Sequence, residues 1–151
     1  MRSLAISLAF FSFSAFAACP KLAGTYAACR STTGAMSEST DMVITQKVQN
    51  GVTVYTVTST DNESEERKSE EWIADGKTRS ETTENPEVGT ITASMMFKCS
   101  GRKVIGNASM EVDGASLLEL EQQIQKNGSA IEIDYVGKIF GMDFKDTVVC
   151  Q

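Results

Sequence analysis

Four turn signals divide residues 99–150 of this chain, which read CSGRKVIGNASMEVDGASLLELEQQIQKNGSAIEIDYVGKIFGMDFKDTVVC. These signals are Ser100-Gly101, Asp113-Gly114, Asn127-Gly128 and the pair Gly137 and Gly141. Asn-Gly and Asp-Gly steps are typical of type I′ hairpin turns, because both central residues of such a turn need a positive φ. Their even spacing predicts an antiparallel meander with a cysteine at each end.

The pattern extends toward the N-terminus, where Asn50-Gly51 separates two runs rich in Val and Thr. Consecutive hairpins of this length close on themselves, because closure removes unpaired strand edges. We therefore predict an all-β, up-and-down antiparallel barrel of about eight strands. The predicted strands are Thr25–Arg30, Asp41–Val48, Val52–Ser59, the polar edge strand Lys77–Thr83, Gly89–Cys99, Arg102–Val112, Ser116–Lys126, Ser129–Val136 and Gly141–Cys150.

Ser116–Lys126 fits two structures. As a helix, it has a capping box formed by Ser116 and Glu119, and Leu117, Leu120 and Ile124 follow at helical spacing. As a strand, it alternates apolar and polar side chains between two tight turns. We assign a strand, because two-residue turns join strands.

The N-terminus has the features of a secretory signal peptide: Arg2, an apolar run from Leu4 to Phe16, and the small-x-small sequence Ala15-Phe16-Ala17. A membrane anchor is the alternative, but the run is short for a span. The prediction is a cleaved leader at residues 1–17, a single domain at residues 18–151, and a secreted or periplasmic location.

Cys19, Cys29, Cys99 and Cys150 all follow the predicted leader. An even number of cysteines in a small exported domain predicts two disulfides. We favour Cys19–Cys29 with Cys99–Cys150; the rival bond Cys29–Cys150 follows if the first and last strands are neighbours in a barrel. A second alternative is a lipid anchor on Cys19, since Phe16-Ala17-Ala18-Cys19 is similar to a bacterial lipobox.

Loss of Arg2 with the leader leaves 13 basic and 20 acidic residues, a net charge of −7. An acidic surface repels phosphate groups, which argues against nucleic acid and anionic membranes as partners. Six carboxylates cluster within Asp61–Glu71. We interpret this cluster as a solvated loop or strand tip, with an acidic docking surface as the alternative.

The chain contains no histidine, which excludes Ser-His-Asp catalysis and HExxH zinc sites. Ser100 and Lys103 match the Ser-x-x-Lys pattern of penicillin-binding enzymes, but its companion motifs are missing. The carboxylate pairs Asp143 with Asp146 and Glu132 with Asp134 are interpreted as solvated. We predict no enzyme activity, no cofactor and no metal site.

Gly24-Thr25-Tyr26, near the predicted mature N-terminus, resembles the Gly-x-Trp signature of lipocalins, members of the calycin superfamily. That resemblance implies an eight-stranded barrel around a cavity for a small apolar molecule. We therefore expect a non-catalytic binding protein; the alternative is an acidic interaction module, such as an inhibitor of a basic hydrolase. The expected cavity-facing residues are Tyr26, Phe97, Met110, Ile131, Ile133, Tyr135 and Phe144.

Overall fold

The computed structural model describes residues 18–34 and 39–151. The predicted leader, residues 1–17, lies outside the described residues. The described part of the chain forms ten strands, which confirms the predicted all-β class and exceeds the expected number. The strands are β1 (Gly24–Ser31), β2 (Thr40–Gln49), β3 (Val52–Asp61), β4 (Arg67–Ile73), β5 (Arg79–Asn85), β6 (Gly89–Ser100), β7 (Lys103–Val112), β8 (Ala115–Asn127), β9 (Ala130–Ile139) and β10 (Met142–Cys150).

All ten strands belong to one antiparallel sheet with the order β4-β3-β2-β1-β10-β9-β8-β7-β6-β5. The first and last strands pair, so β4 and β5 are the two edges. The sheet curls until the chain at the end of β4 reaches β6, where Asp75 bridges Lys98 and Gly76 N donates to Phe97 O at 2.8 Å. The up-and-down strand order is confirmed, but the sheet is a curled half-barrel with two free edges and does not close as predicted.

Most predicted hairpins form, but Gly137 lies inside β9 and only Gly141 of that pair is at a turn. Asn50-Gly51, Asp113-Gly114 and Phe140-Gly141 each have two successive positive φ values, as type I′ turns require. The helical alternative for residues 116–126 is wrong. They lie in β8, which pairs with β7 and β9 along nearly its whole length, and this pairing outweighs local helix propensity.

The strand that the sequence analysis missed is β4. Residues 67–71 belong to the charge cluster that we interpreted as a loop or strand tip, yet they pair with β3 from Thr60↔Arg67 onward. An edge strand tolerates charged side chains because most of them face solvent. Asp75-Gly76 has the sequence of a hairpin turn but does not close one, since β4 and β5 lie at opposite edges of the sheet.

The disulfides are Cys19–Cys99 and Cys29–Cys150. The favoured pairing was therefore wrong, and the alternative bond Cys29–Cys150 is present because β1 and β10 are neighbours. The sulfur of Cys19 is bonded to Cys99 and is not available for a thioether-linked lipid.

One end of the curled sheet is sealed by the segment before β1. Leu22 is completely buried there, and the Tyr55 hydroxyl donates to Pro20 O at 2.7 Å. Cys19–Cys99 attaches this segment to β6. We call this part of the molecule the closed end. The inner side of the curled sheet is its concave face, and the opposite end of that face is the open end.

Candidate functional site

The concave face of β6–β10 consists of rows of directly paired side chains. The row nearest the closed end, here the apolar row, contains Cys99, Val104, Ile124, Ile133 and Val148. Two residues further along each strand, the polar row contains Phe97, Gly106, Gln122, Tyr135 and Asp146. The two rim rows at the open end contain Met95, Ala108, Leu120, Gly137 and Phe144, then Ala93, Met110, Leu118, Ile139 and Met142.

The apolar row belongs to the hydrophobic core. Val104 and Ile124 are fully buried, and Ile133 and Val148 are nearly so. These side chains pack with the buried residues of β1–β4 and the half-cystines at the closed end. This end of the concave face is filled by the protein's own side chains.

Aromatic side chains form the boundary between the apolar and polar rows. Phe97 stacks on Trp72 with ring centroids 5.3 Å apart, joining β6 to β4 across the sheet opening. Trp72 Nε1 donates to Glu70 Oε1 at 2.6 Å, which positions a carboxylate beyond the core. Gly106 makes room for this packing, because a Cβ there would come within 2.6 Å of both Phe97 and Gln122.

Asp146 is the buried charged residue of the polar row, with 1% of its surface exposed. Its Oδ1 accepts hydrogen bonds from Thr33 Oγ1 and Thr147 N, both at 2.8 Å. Its Oδ2 is buried and has no hydrogen-bond partner among residues 18–34 and 39–151. Burial acts to raise the pKa of Asp146, but hydrogen bonds from Ser31, Thr33 and Thr147 outweigh it and hold the pKa below its ordinary value.

Tyr135 is the direct cross-strand neighbour of Asp146. Burial raises the pKa of Tyr135 to about 12, and the negative charges of Glu70 and Asp146 act in the same direction. The phenol is therefore protonated at neutral pH. The carboxylates of Glu70 on β4 and Asp146 on β10 thus both act to raise the pKa of the Tyr135 hydroxyl.

The rim rows provide apolar surface in front of these polar groups. Met110, Leu118, Leu120 and Phe144 are half-buried, and Met95 and Met142 are exposed. Gly137 lets β9 approach β8 closely, since a Cβ there would collide with the carbonyl oxygen of Glu119. The open end therefore combines apolar walls with a few placed polar groups, which is the usual composition of a small-molecule site.

The residues expected to face a cavity divide between the two ends. Tyr26, Phe97, Ile131 and Ile133 are buried core side chains. Tyr135 is half-buried and packs against the core, whereas Met110 and Phe144 lie half-buried in the rim rows.

Sequence reasoning missed Asp146, Glu70 and Gln122 as members of the site. The interpretation of Asp146 as a solvated partner of Asp143 was wrong, because the two residues lie on opposite faces of β10 and only Asp143 is exposed. The available signal was alternation: Asp146 lies between Phe144 and Val148 on the inward register.

Ser100 and Lys103 flank a hairpin turn and pair directly. Ser100 is exposed, and Lys103 Nζ donates to Gln123 Oε1 at 3.0 Å. The lysine therefore contacts an amide on β8.

Both sheet edges carry dense negative charge. Residues 61–87, which include β4 and β5, contain ten acidic and four basic side chains, a net charge of −6. A groove of about 380 Å³ lies between the edges and is lined by residues such as Glu71, Ile73 and Arg79. A more polar groove of about 510 Å³ lies near the loop after β3, beside Ser59, Asp61 and Lys68.

No protein-family model matches this chain, and neither a curated protein nor a solved structure is similar enough to count as a match. Within residues 18–34 and 39–151, no helix is long and apolar enough to cross a membrane. The same residues contain no group of three or more His, Cys, Asp or Glu side chains that could hold a metal ion.

Proposed function

We propose that this protein is an exported, non-catalytic binding protein that takes a small, largely apolar molecule at the open end of its curled sheet. The observation that carries the proposal is the buried, unpartnered Oδ2 of Asp146, which lies on the concave face behind half-buried apolar side chains. A buried polar atom without a partner is destabilising by about 1–3 kcal/mol, and such atoms call for a functional explanation. A bound molecule with a hydrogen-bond donor would supply the missing partner.

Two further features support this function. The two disulfides fit an oxidising compartment, in agreement with a leader at residues 1–17. The curled antiparallel sheet is compatible with a lipocalin-like barrel, and small-molecule sites commonly occur at the mouths of such barrels.

The sole tryptophan, Trp72, provides the assay, because it contacts Glu70 and Phe97 at the border of the site. We expect saturable changes in its fluorescence on titration with dodecanol, a long apolar molecule with one hydroxyl donor. Leu120→Asn should weaken binding about tenfold, because it places a polar group in the apolar wall. Val43→Asn is the matched control, since Val43 is an exposed apolar residue on the outer face of β2, away from Leu120.

Unchanged fluorescence would be checked by native mass spectrometry of protein purified from its own source. A chain that carries no small molecule there, and gives no fluorescence response, contradicts the proposed function. Equal weakening by Leu120→Asn and Val43→Asn also contradicts it, because binding would not depend on the concave face.

The second candidate function is an acidic interaction module, such as an inhibitor of a basic hydrolase. The observation that favours it is the net charge of −6 within residues 61–87, on the two free edges of the sheet. Charged side chains on edge strands also prevent edge-to-edge aggregation, which needs no partner.

A paired charge reversal separates these two roles of the acidic edges. Glu81→Lys with Glu84→Lys on β5 should abolish salt-sensitive binding to a basic lysozyme-like enzyme. Glu119→Lys with Glu121→Lys on the internal strand β8 is the control and should preserve that binding. Absence of any interaction between the wild-type protein and such enzymes at low salt would remove this candidate.

A further inference from the structure

We propose that the molecule bound at the open end carries an alkylammonium group, and that Asp146 Oδ2 accepts a hydrogen bond from its N–H. This inference rests on the proposed function and names the chemical class of the ligand. It starts from the charges on the concave face.

The buried carboxylate of Asp146 and the exposed carboxylate of Glu70, on the inner register of β4, have no cationic partner within residues 18–34 and 39–151. The ion pairs found there are Lys47–Glu71, Lys68–Glu66 and Arg79–Asp75. Lys68, the basic residue next to Glu70 on the inner register of β4, is 3.4 Å from Glu66. Lys126 lies at the closed end, where its Nζ donates to Ala23 O.

The charge that a ligand group should carry at this site follows from these two carboxylates. An anionic ligand group would meet two negative charges near Tyr135 in a partly buried site, where charge repulsion is strong. A neutral hydroxyl could pair with Oδ2 but would bring no opposite charge to the carboxylate. A cation with an N–H donor supplies both the hydrogen bond and the charge.

An organic ammonium fits the site better than a metal ion. Divalent cations take six or more oxygen ligands, or four from His and Cys, and no cluster of three such residues exists in the described part of the chain. A primary ammonium has three N–H donors and needs fewer protein ligands. Asp146 Oδ2 takes one donor, and the amide oxygen of Gln122 and the hydroxyl oxygen of Tyr135 are the other acceptors in the polar row.

The rest of the ligand is defined by the rim rows. Leu118, Leu120, Met110 and Phe144 offer apolar contact next to the polar row, and methionine side chains adapt to varied shapes. The site therefore suits a molecule with an ammonium at one end and an alkyl or aromatic body. The acidic groove beside Asp61 and Glu66 would attract such a cation toward the open end.

The test compares three probes of equal chain length: dodecylamine, dodecanol and dodecanoate, each below its micelle-forming concentration. Trp72 fluorescence reports binding to the wild-type protein. We expect dodecylamine to bind about tenfold to a hundredfold more tightly than dodecanol, as for a charge-assisted hydrogen bond, and dodecanoate to bind most weakly. Dodecyltrimethylammonium, which has the charge without an N–H, should bind more weakly than dodecylamine.

Asp146→Asn removes the charge while retaining the shape of the side chain. It should reduce dodecylamine affinity at least tenfold and change dodecanol affinity less than twofold. Asp143→Asn is the matched control, because Asp143 is exposed on the opposite face of the same strand. This variant should bind all probes as the wild type does.

The outcomes separate the two proposals. If dodecanol binds but dodecylamine binds no more tightly, the ammonium inference is wrong and the proposed binding function stands. An equal loss for both probes in Asp146→Asn likewise overturns the inference. If no probe binds and no ligand copurifies, the proposed function itself fails. If Asp146→Asn does not fold, the wild-type protein still tests the inference. Equal binding of dodecylamine and dodecyltrimethylammonium would overturn it, because the N–H donor would then make no difference.

Discussion

The closed and open ends of this protein are built from the same five strands, and their chemistry changes within two residues. Ile133 and Val148 at the closed end are buried core side chains. One row further, Tyr135 and Asp146 occupy the corresponding positions of β9 and β10. A single sheet therefore carries both a sealed apolar core and a polar layer with an unpaired carboxylate oxygen.

This difference separates the sources of stability from the candidate site. Both disulfides and the completely buried apolar side chains lie at the closed end. The destabilising feature, a buried oxygen without a partner, lies outside that core. Proteins commonly depart from the rules of good packing at functional sites, where the rest of the fold compensates for the loss of stability. Mutations at the two ends should therefore have different consequences.

The largest effect should follow removal of the Cys29–Cys150 disulfide at the closed end. This bond joins residues 121 apart in the sequence, across the β1–β10 pair, which has only two directly registered residue pairs among the described residues. Cys29→Ala with Cys150→Ala should lower the free energy of unfolding by about 3–5 kcal/mol, as expected when a long loop loses its crosslink. Urea denaturation followed by Trp72 fluorescence measures the change.

The matched variant is Cys19→Ala with Cys99→Ala, which releases the segment before β1. The sequence separation is 80, so the chain-entropy model gives a loss of about 4 kcal/mol. A loss below about 1 kcal/mol for both double variants would show that the closed end does not hold the stability assigned to it.

A smaller difference should distinguish Ile124 from Leu120, which lie on the same strand and the same face. Ile124 is fully buried in the apolar row, whereas Leu120 is half-buried at the rim. Ile124→Ala should reduce the free energy of unfolding by about 3 kcal/mol through the lost burial and the cavity left behind. Leu120→Ala should reduce it by about 1 kcal/mol, since its side chain is already partly solvated. Equal losses by urea denaturation would remove the energetic distinction between the ends.

The hairpins of the fold were readable from sequence because their turn chemistry is local. Asn50-Gly51 and Asp113-Gly114 carry residues that accept positive φ, and both turns formed. The strand assignment of residues 116–126 also came from flanking turns. Local information was enough where a recognisable two-residue turn joins two strands.

Features that depend on distant neighbours were not readable in the same way. The bond Cys19–Cys99 requires knowing that the segment before β1 crosses the end of the sheet at β6. Strand β4 has a charged sequence and is held by pairing with β3 and by the stacking of its Trp72 on Phe97 of β6, which the local hydrophobic pattern does not reveal. The burial of Asp146 depends on Thr33, far away in sequence, which supplies a hydrogen bond that balances desolvation.

The smallest predicted effect concerns the acid sensitivity of Asp146 at the open end. Its folded-state pKa lies below the ordinary value because hydrogen bonds from Ser31, Thr33 and Thr147 outweigh the opposing effect of burial. A carboxyl group with a lowered folded-state pKa stabilises the protein above its unfolded-state pKa, and this contribution disappears as the pH falls through the folded-state value. Between pH 5 and pH 2, the free energy of unfolding of the wild type should therefore fall relative to that of Asp146→Asn.

Urea denaturation at several pH values measures this difference, and Asp143→Asn on the exposed face of β10 serves as the control, with no such trend expected. The opposite trend, in which wild type gains stability relative to Asp146→Asn as the pH falls, would mean that burial dominates and that the folded-state pKa is raised. Asp146 would then be closer to its neutral form at the open end. A neutral acid offers no charge to an ammonium group, so that result would weaken the assignment of ligand class while leaving the closed end unchanged.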